Sequence, residues 1–263
     1  MSKQTLTTLK NKKRDGEKFA CITAYDAMFA ATIERAEIET ILVGDSLGMV
    51  LQGEDSTLPV TVEDMCYHIR SVASAANNAL IIGDMPFLSY ATIDEGVATA
   101  KALMQAGAHC VKLEGGKPFT PLIEILSQNG VPVCGHLGLT PQSVNKLGGY
   151  RVQGKNDDAA AAIIEDALAL EAAGIDLIVL ECVPTPLGKQ ITEALSIPTI
   201  GIGAGHYTDA QVLVLHDMLG MNPRPAKFVK NYMAQADSIE DAIKQYGDET
   251  RSGAFPSEEY AFK

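Results

Sequence analysis

The sequence predicts an α/β fold, a closed (β/α)8 TIM barrel, on three observations. Eight short runs rich in Val, Ile and Leu recur near residues 19–24, 40–45, 79–84, 109–114, 131–136, 176–181, 198–203 and 211–216. Such runs read as parallel strands buried on both faces. Helical patterns separate most of them, and the length of 263 residues matches the roughly 250 that eight βα units need. No Gly-x-Gly-x-x-Gly follows the first run, which argues against an open dinucleotide-binding sheet. No Gly/Ser linker or low-complexity stretch interrupts the alternation, so residues 1–263 read as one barrel domain.

The elements follow in order. Ser2 to Arg14 is basic and lacks the apolar core of a secretory signal. Leu6 and Leu9 are spaced for one face, which predicts a short helix over one end of the barrel; a transit peptide is the other reading. Thr61-x-x-Asp64 and Thr92-x-x-Glu95 have the form of capping boxes, and Gly107 suits the position after the second helix. Asp157 and Asp158 precede an alanine-rich helix that Gly174 would close. Ser238-x-x-Asp241 opens a C-terminal helical extension toward Gly253. Thr120-Pro121, Thr140-Pro141 and Thr185-Pro186 each follow a strand. Threonine as N-cap with proline next predicts three helix starts on the face where the strands end.

Composition excludes some partners. A formal net charge of −12 argues against nucleic acid and against an anionic membrane surface. No apolar stretch reaches the roughly 20 residues of a membrane span. Of the five cysteines, Cys21, Cys110, Cys134 and Cys182 lie in or beside strands and read as small buried hydrophobes; Cys66 completes the set, and no CxxC pair occurs. That usage suits a reducing, cytoplasmic compartment.

Chemistry is signalled at the strand ends. Four runs finish in a carboxylate: Asp45, Asp84, Glu114 and Glu181. In a barrel these ends meet at one mouth. Carboxylates gathered in a low dielectric repel, so the cluster calls for a cation or raised pKa values. Oxygen ligands without His or Cys beside them favour magnesium or manganese. Magnesium accepts one or two carboxylates plus substrate oxygens. Asp45 and Asp84 are therefore expected as direct ligands, with Glu114 acting through water. Gly44 and Gly83 precede the two aspartates and would let ligand or backbone approach closely. Lys112 and Glu114 share a strand face by the period of two, opposite Val111 and Leu113, so both point to the barrel axis. They read either as a buried structural ion pair or as part of a site.

Glu181 stands about opposite the second strand and suits a general base; a further metal ligand or a core acid are the alternatives. His136 ends the fifth strand and could bind substrate, shuttle a proton or serve structure. His68, His109, His206 and His216 show no ligand spacing. Ser46 lacks a G-x-S-x-G setting, which argues against a hydrolase triad. It reads as a donor to a substrate carboxylate, or as a cap or turn residue. Gly201-Ile202-Gly203-Ala204-Gly205 reads equally as a phosphate loop or a tight turn.

Longer motifs then become recognisable. Gly44-Asp45-Ser46-Leu47-Gly48-Met49, Val111-Lys112-Leu113-Glu114-Gly115-Gly116, Gly135-His136-Leu137-Gly138-Leu139-Thr140-Pro141-Gln142, Gly148-Gly149-Tyr150-Arg151-Val152-Gln153-Gly154 and Leu180-Glu181-Cys182-Val183-Pro184 resemble the ketopantoate hydroxymethyltransferase family. The resemblance runs from about residue 5 to the C-terminus. It implies a barrel of the phosphoenolpyruvate/pyruvate superfamily. It implies hydroxymethyl transfer from 5,10-methylenetetrahydrofolate to 3-methyl-2-oxobutanoate through a Mg2+-stabilised enolate. The product would be 2-dehydropantoate, for pantothenate and coenzyme A biosynthesis. By the same resemblance Asp45, Asp84 and Glu114 hold Mg2+. Asp45, Ser46, Asp84 and Lys112 contact the oxo acid and Glu181 accepts the proton; His136 joins the substrate-binding set on its strand-end position alone. A cytoplasmic homo-oligomer, often a decamer, is implied too. Ala210, in Thr208-Asp209-Ala210-Gln211, stands where the family commonly has glycine, and Asn222-Pro223-Arg224-Pro225 forms a variable loop. A magnesium-dependent 2-oxo acid lyase of the same superfamily is the alternative, but its Lys-x-Cys-Gly-type loop is absent from the sequence. A non-catalytic barrel gains little from buried Lys112 and Glu181.

Overall fold

The computed structural model describes residues 2–263. Eight strands close into a ring in which every neighbour is parallel and sequential, and β1 pairs with β8. In chain order the elements are α1 (Leu6–Asp15), β1 (Phe19–Thr23), α2 (Ala27–Arg35), β2 (Thr40–Val43), α3 (Leu47–Val50), α4 (Val62–Ala73), β3 (Leu80–Asp84), α5 (Ile93–Ala106) and β4 (Cys110–Lys112). There follow α6 (Thr120–Gln128), β5 (Val133–Gly138), α7 (Val144–Leu147), α8 (Asp157–Ala173), β6 (Leu177–Glu181), α9 (Thr185–Ala194), β7 (Thr199–Ile202), β8 (Ala210–Leu213), α10 (Leu215–Met218) and α11 (Ile239–Ser252). The barrel, its N-terminal helix and its C-terminal helix are those the sequence predicts.

The period of two divides the strands into two apolar layers. Phe19, Cys21, Leu42, Leu80, Ile82, Cys110, Cys134, Leu177, Val179, Ile200 and Val212 fill the barrel interior. Their neighbours, such as Ile22, Ile41, Val43, Ile81, Val111, Ile178 and Leu180, pack outward against the helices. Leu9 from α1 joins the interior layer and is fully buried. This helix therefore plugs the N-terminal end of the barrel, as the Leu6/Leu9 spacing suggests. All five cysteines are buried and free.

Helix boundaries follow local chemistry. Thr61 and Thr92 form capping boxes with Asp64 and Glu95, and Ser238 accepts from the Asp241 N–H. Gly107, Gly174 and Gly253 close their helices in the left-handed region. Asp157 and Asp158 fall inside the first turn of α8, because Asn156 supplies the cap. The Thr-Pro reading needs correction: none of the three threonines caps a helix with its side chain. Thr120 lies within α6 and its hydroxyl donates to the Lys117 carbonyl at 2.9 Å. Thr185 lies within α9 and donates to the Phe262 carbonyl at 2.9 Å. Each hydroxyl is taken by a nearer carbonyl. Thr140 precedes only a single 3-10 turn, Pro141–Ser143.

Candidate active site at the C-terminal mouth of the barrel

A cavity of about 370 Å³ opens at the C-terminal ends of the strands. Asp45, Ser46, Asp84, Lys112, Glu114, His136 and Glu181 all line it, so the structure gathers every residue singled out from the sequence. They arrive by different routes. Asp84 ends β3 and Lys112 ends β4, directly across the ladder from one another. Both continue the inward rows begun by Leu80, Ile82 and Cys110. Glu181 continues the row of Leu177 and Val179 on β6, opposite β2 in the ring of eight.

Asp45 and Glu114 lie beyond the strands proper, which end at Val43 and Lys112. Strand parity would send Asp45 outward with Ile41 and Val43. It turns in because the chain leaves β2 at Gly44 and enters α3. The Gly44 position matters here: a Cβ would meet Ser46 Oγ at 2.9 Å. Gly83 acts otherwise than the sequence suggests. A Cβ there would meet Ile69 Cδ1 at 2.8 Å and Ala108 Cβ at 3.2 Å, so this glycine admits the helix layer and leaves the mouth untouched.

Lys112 reaches two of the carboxylates. Lys112 Nζ donates to Asp84 Oδ1 at 2.5 Å and lies 3.9 Å from Glu114 Oε1. The Asp45 N–H donates to Asp84 Oδ2 at 3.3 Å. Burial, then repulsion from Asp84 and Glu114, pushes the Asp45 carboxyl well above its ordinary range. Burial also raises Asp84, against the pull of Lys112. Burial works to raise Glu114 too, yet His136, Lys112 and the Gln142 N–H outweigh it and hold Glu114 low. Burial would lower Lys112, but Asp84, Glu114 and Asp45 together keep it charged.

His136 sits between two acids. Its Nδ1 is 3.3 Å from Glu114 Oε1 and its Nε2 is 3.3 Å from Glu181 Oε2. Both contacts fall short of hydrogen-bond geometry, leaving the buried ring nitrogens as ion contacts only. Burial and Lys112 work to lower this group, and the flanking carboxylates win, lifting it to about 9. The two flanking carboxylates thus favour the protonated imidazole.

The donor set fits a divalent cation in a limited sense. Buried oxygens outnumber nearby positive charge, and none of the sulfur or neutral imidazole ligands typical of zinc joins them. Among the described residues no point brings three His, Cys, Asp or Glu side chains into coordinating reach of one ion. The fit is therefore to an ion held by one or two carboxylates and completed by water or substrate oxygens, the habit of Mg2+.

The family model described as "Ketopantoate hydroxymethyltransferase" matches residues 3–258. The chain belongs to the ketopantoate hydroxymethyltransferase family. It is 60% identical over 259 residues to 3-methyl-2-oxobutanoate hydroxymethyltransferase 2 of Hahella chejuensis, covering 98% of each chain. It is 55% identical to 3-methyl-2-oxobutanoate hydroxymethyltransferase of Marinomonas sp., covering 98% of this chain and 94% of the other. In fold it is similar to phosphoenolpyruvate phosphomutase from Streptomyces platensis subsp. rosaceus, with TM-score 0.63, 14% identity and 83% of each chain covered.

Several features of the site were invisible in the sequence of this family member. Gln142 is buried and donates through Nε2 to Asp45 Oδ2 at 2.8 Å and to the Met85 carbonyl at 2.9 Å. Its N–H donates to Glu114 Oε2 at 3.0 Å. Tyr90 donates to Gln142 Oε1 at 2.6 Å. Gln142 closes a motif quoted above, which was its only signal; Tyr90 had none. Ser46 makes no side-chain cap to α3 and instead shares a 2.8 Å hydrogen bond with the Tyr25 hydroxyl. Asn222 and Arg224 of the variable loop line the rim of the cavity. Ala210 opens β8 and is fully buried. The glycine-rich segment begins within β7, and Gly205 packs closely on the start of α9, where a Cβ would meet Thr185 at 2.5 Å.

Proposed function

We propose that the chain transfers a hydroxymethyl group from 5,10-methylenetetrahydrofolate to 3-methyl-2-oxobutanoate, forming 2-dehydropantoate on the route to pantothenate and coenzyme A. The observation that carries this reading is the shared cavity of Asp45, Asp84, Lys112, Glu114, His136 and Glu181 in a chain of this family. A 2-oxo acid presents a carboxylate oxygen beside a keto oxygen. Asp45 and Asp84 are the residues to hold Mg2+, with Glu114 acting through water. Bound there, the cation would polarise the keto carbonyl as a Lewis acid.

The protein's own groups do the rest. Glu181, on the wall opposite β2, takes the proton from C3 of the oxo acid. Lys112, fixed by Asp84, presents its ammonium to the oxygen that gains charge. Such a donor is oriented before the reaction starts and costs no reorganisation during it. Ser46, held by Tyr25, donates to the substrate carboxylate. His136 bears on both Glu114 and Glu181 and adds positive charge where the enolate develops. The C3 carbon then bonds to the folate methylene carbon as one of its two C–N bonds breaks, and a water replaces the second nitrogen, leaving 2-dehydropantoate and tetrahydrofolate. Leu42, Val179, Ile202 and Val212 give the cavity an apolar floor for the branched carbon chain.

Purified protein with divalent cation should exchange the C3 proton of 3-methyl-2-oxobutanoate in deuterated water, and should form 2-dehydropantoate once methylenetetrahydrofolate is added. Absence of both would defeat the proposal. Cleavage of a 2-oxo acid without folate would favour the lyase reading, which the 14%-identical fold likeness does not support by itself. A cytoplasmic homo-oligomer, with a decamer as the expected size, belongs to the same proposal, and sedimentation velocity measures the size.

A further inference from the structure

We propose that Tyr90 and Gln142 form a positioning relay that decides which carboxylate oxygen the mouth offers to its ligand. The Tyr90 hydroxyl accepts from the Glu114 N–H at 3.2 Å. Its single proton goes to Gln142 Oε1 at 2.6 Å, in preference to the Glu114 carbonyl at 3.4 Å. A carboxamide whose oxygen is engaged in this way has its nitrogen facing the other direction. Both amide protons of Gln142 are then used, one on Asp45 Oδ2 and one on the Met85 carbonyl. The backbone N–H of the same residue caps Glu114 Oε2.

The consequence lies in what is left uncapped. Asp84 has Lys112 on one oxygen and the Asp45 N–H on the other. Glu114 has the Gln142 N–H on Oε2, with Lys112 and His136 near Oε1. Asp45 has a donor on Oδ2 alone, so among the described residues its Oδ1 receives no protein donor. The relay thereby turns one oxygen of Asp45 to the cavity and fixes the carboxylate plane. Without the Tyr90 proton the buried Gln142 Oε1 has no donor, and the amide that ties down Asp45 Oδ2 loses one of its three tethers. The Tyr90 ring itself is held edge-on to Phe119, with centroids 5.3 Å apart, so Tyr90→Phe removes the proton and keeps the packing.

This inference rests on the proposal that Asp45 holds the cation, and the experiment separates the two. Mn2+ alone is titrated into the protein and the free ion read by electron paramagnetic resonance. Outer partners of a ligand commonly contribute ten- to hundredfold to metal affinity, so Tyr90→Phe should weaken Mn2+ by about tenfold. The KM for the oxo acid should rise with it, more than kcat falls. Gln142→Met should weaken it at least as much, and adding Tyr90→Phe to Gln142→Met should cost far less than the roughly tenfold expected alone, because only the Tyr90 contact with the Glu114 N–H is then left to lose. Should Gln142→Met fail to fold, Gln142→Asn, too short to reach Asp45, serves as the second background. Native affinity in Tyr90→Phe, or equal losses with and without Gln142, would overturn the relay while leaving the cation site standing. No Mn2+ binding by the native protein would overturn both.

Discussion

The two ends of the barrel use the same residue types to opposite effect. At the N-terminal end, acids precede strands and each meets a cation and a backbone N–H. Asp176 accepts from Lys10 at 2.7 Å and from the Val133 N–H at 3.3 Å. Asp209 accepts from Lys13 at 2.9 Å and from the Thr199 N–H at 2.8 Å. Glu39 accepts from Arg251 at 3.0 Å and from the Ala20 N–H at 3.0 Å. Charge there is balanced pair by pair, over a floor sealed by Leu9. At the C-terminal end Asp45, Asp84, Glu114 and Glu181 face Lys112 and His136, and charge is in excess. A balanced cluster stabilises the fold; an unbalanced one is stabilised by what it binds. On the proposed function the two ends of the barrel separate stability from chemistry, as the fold commonly does.

The contrast can be broken by substitution, beginning with the largest effect. Glu181→Gln should reduce kcat by about a thousandfold, the scale of a lost general base. It should abolish C3 exchange in deuterated water while Mn2+ affinity stays native; proton exchange followed by NMR decides it. Asp45→Asn should reduce kcat/KM by about a hundredfold, the cost of a lost ligand contact. Its stability without cation should nevertheless not fall. The sign follows from linkage. The Asp45 carboxyl is raised in the folded state, so the folded protein binds more protons than the unfolded chain above the ordinary carboxylate range. Stability of the cation-free protein therefore declines as pH rises through that window. Asp45→Asn should flatten the decline, read by urea unfolding in chelator between pH 5 and 8. A steeper slope in the variant would remove Asp45 from the unbalanced set.

Floor substitutions should do the reverse. Asp209→Ala leaves Lys13 without its acid and the Thr199 N–H without an acceptor, and should lower stability by about 2 kcal/mol in urea unfolding. Its kcat/KM should stay native, and a loss of turnover in fully folded protein would show the two ends to be coupled. Lys10→Ala breaks a pair whose lysine is 41% exposed, and should cost under about 1 kcal/mol. The difference between these two floor variants measures how much burial matters at that end.

Much of this was legible along the chain. Strand runs, capping boxes and terminal glycines are local, and their physics acts over a few residues. The inward direction of Lys112 and Glu181 follows from the period of two alone. The Thr-Pro pairs misled because a hydroxyl chooses its acceptor among whatever carbonyls the fold brings near, and Phe262 is 77 residues from Thr185. Gly83 misled because a missing Cβ says nothing about which side needs the space.

By itself, then, the sequence determined that eight buried runs would form a barrel and that four of them would carry acids to one end. The family motifs pointed to what those acids handle. Only the tertiary structure decided that Asp45 turns inward past its strand, that Lys112 bonds Asp84 in preference to Glu114, and that Tyr90 and Gln142 hold the cluster in place. These are contacts between residues tens of positions apart. Their geometry is fixed by closing the ring, and no local preference encodes it.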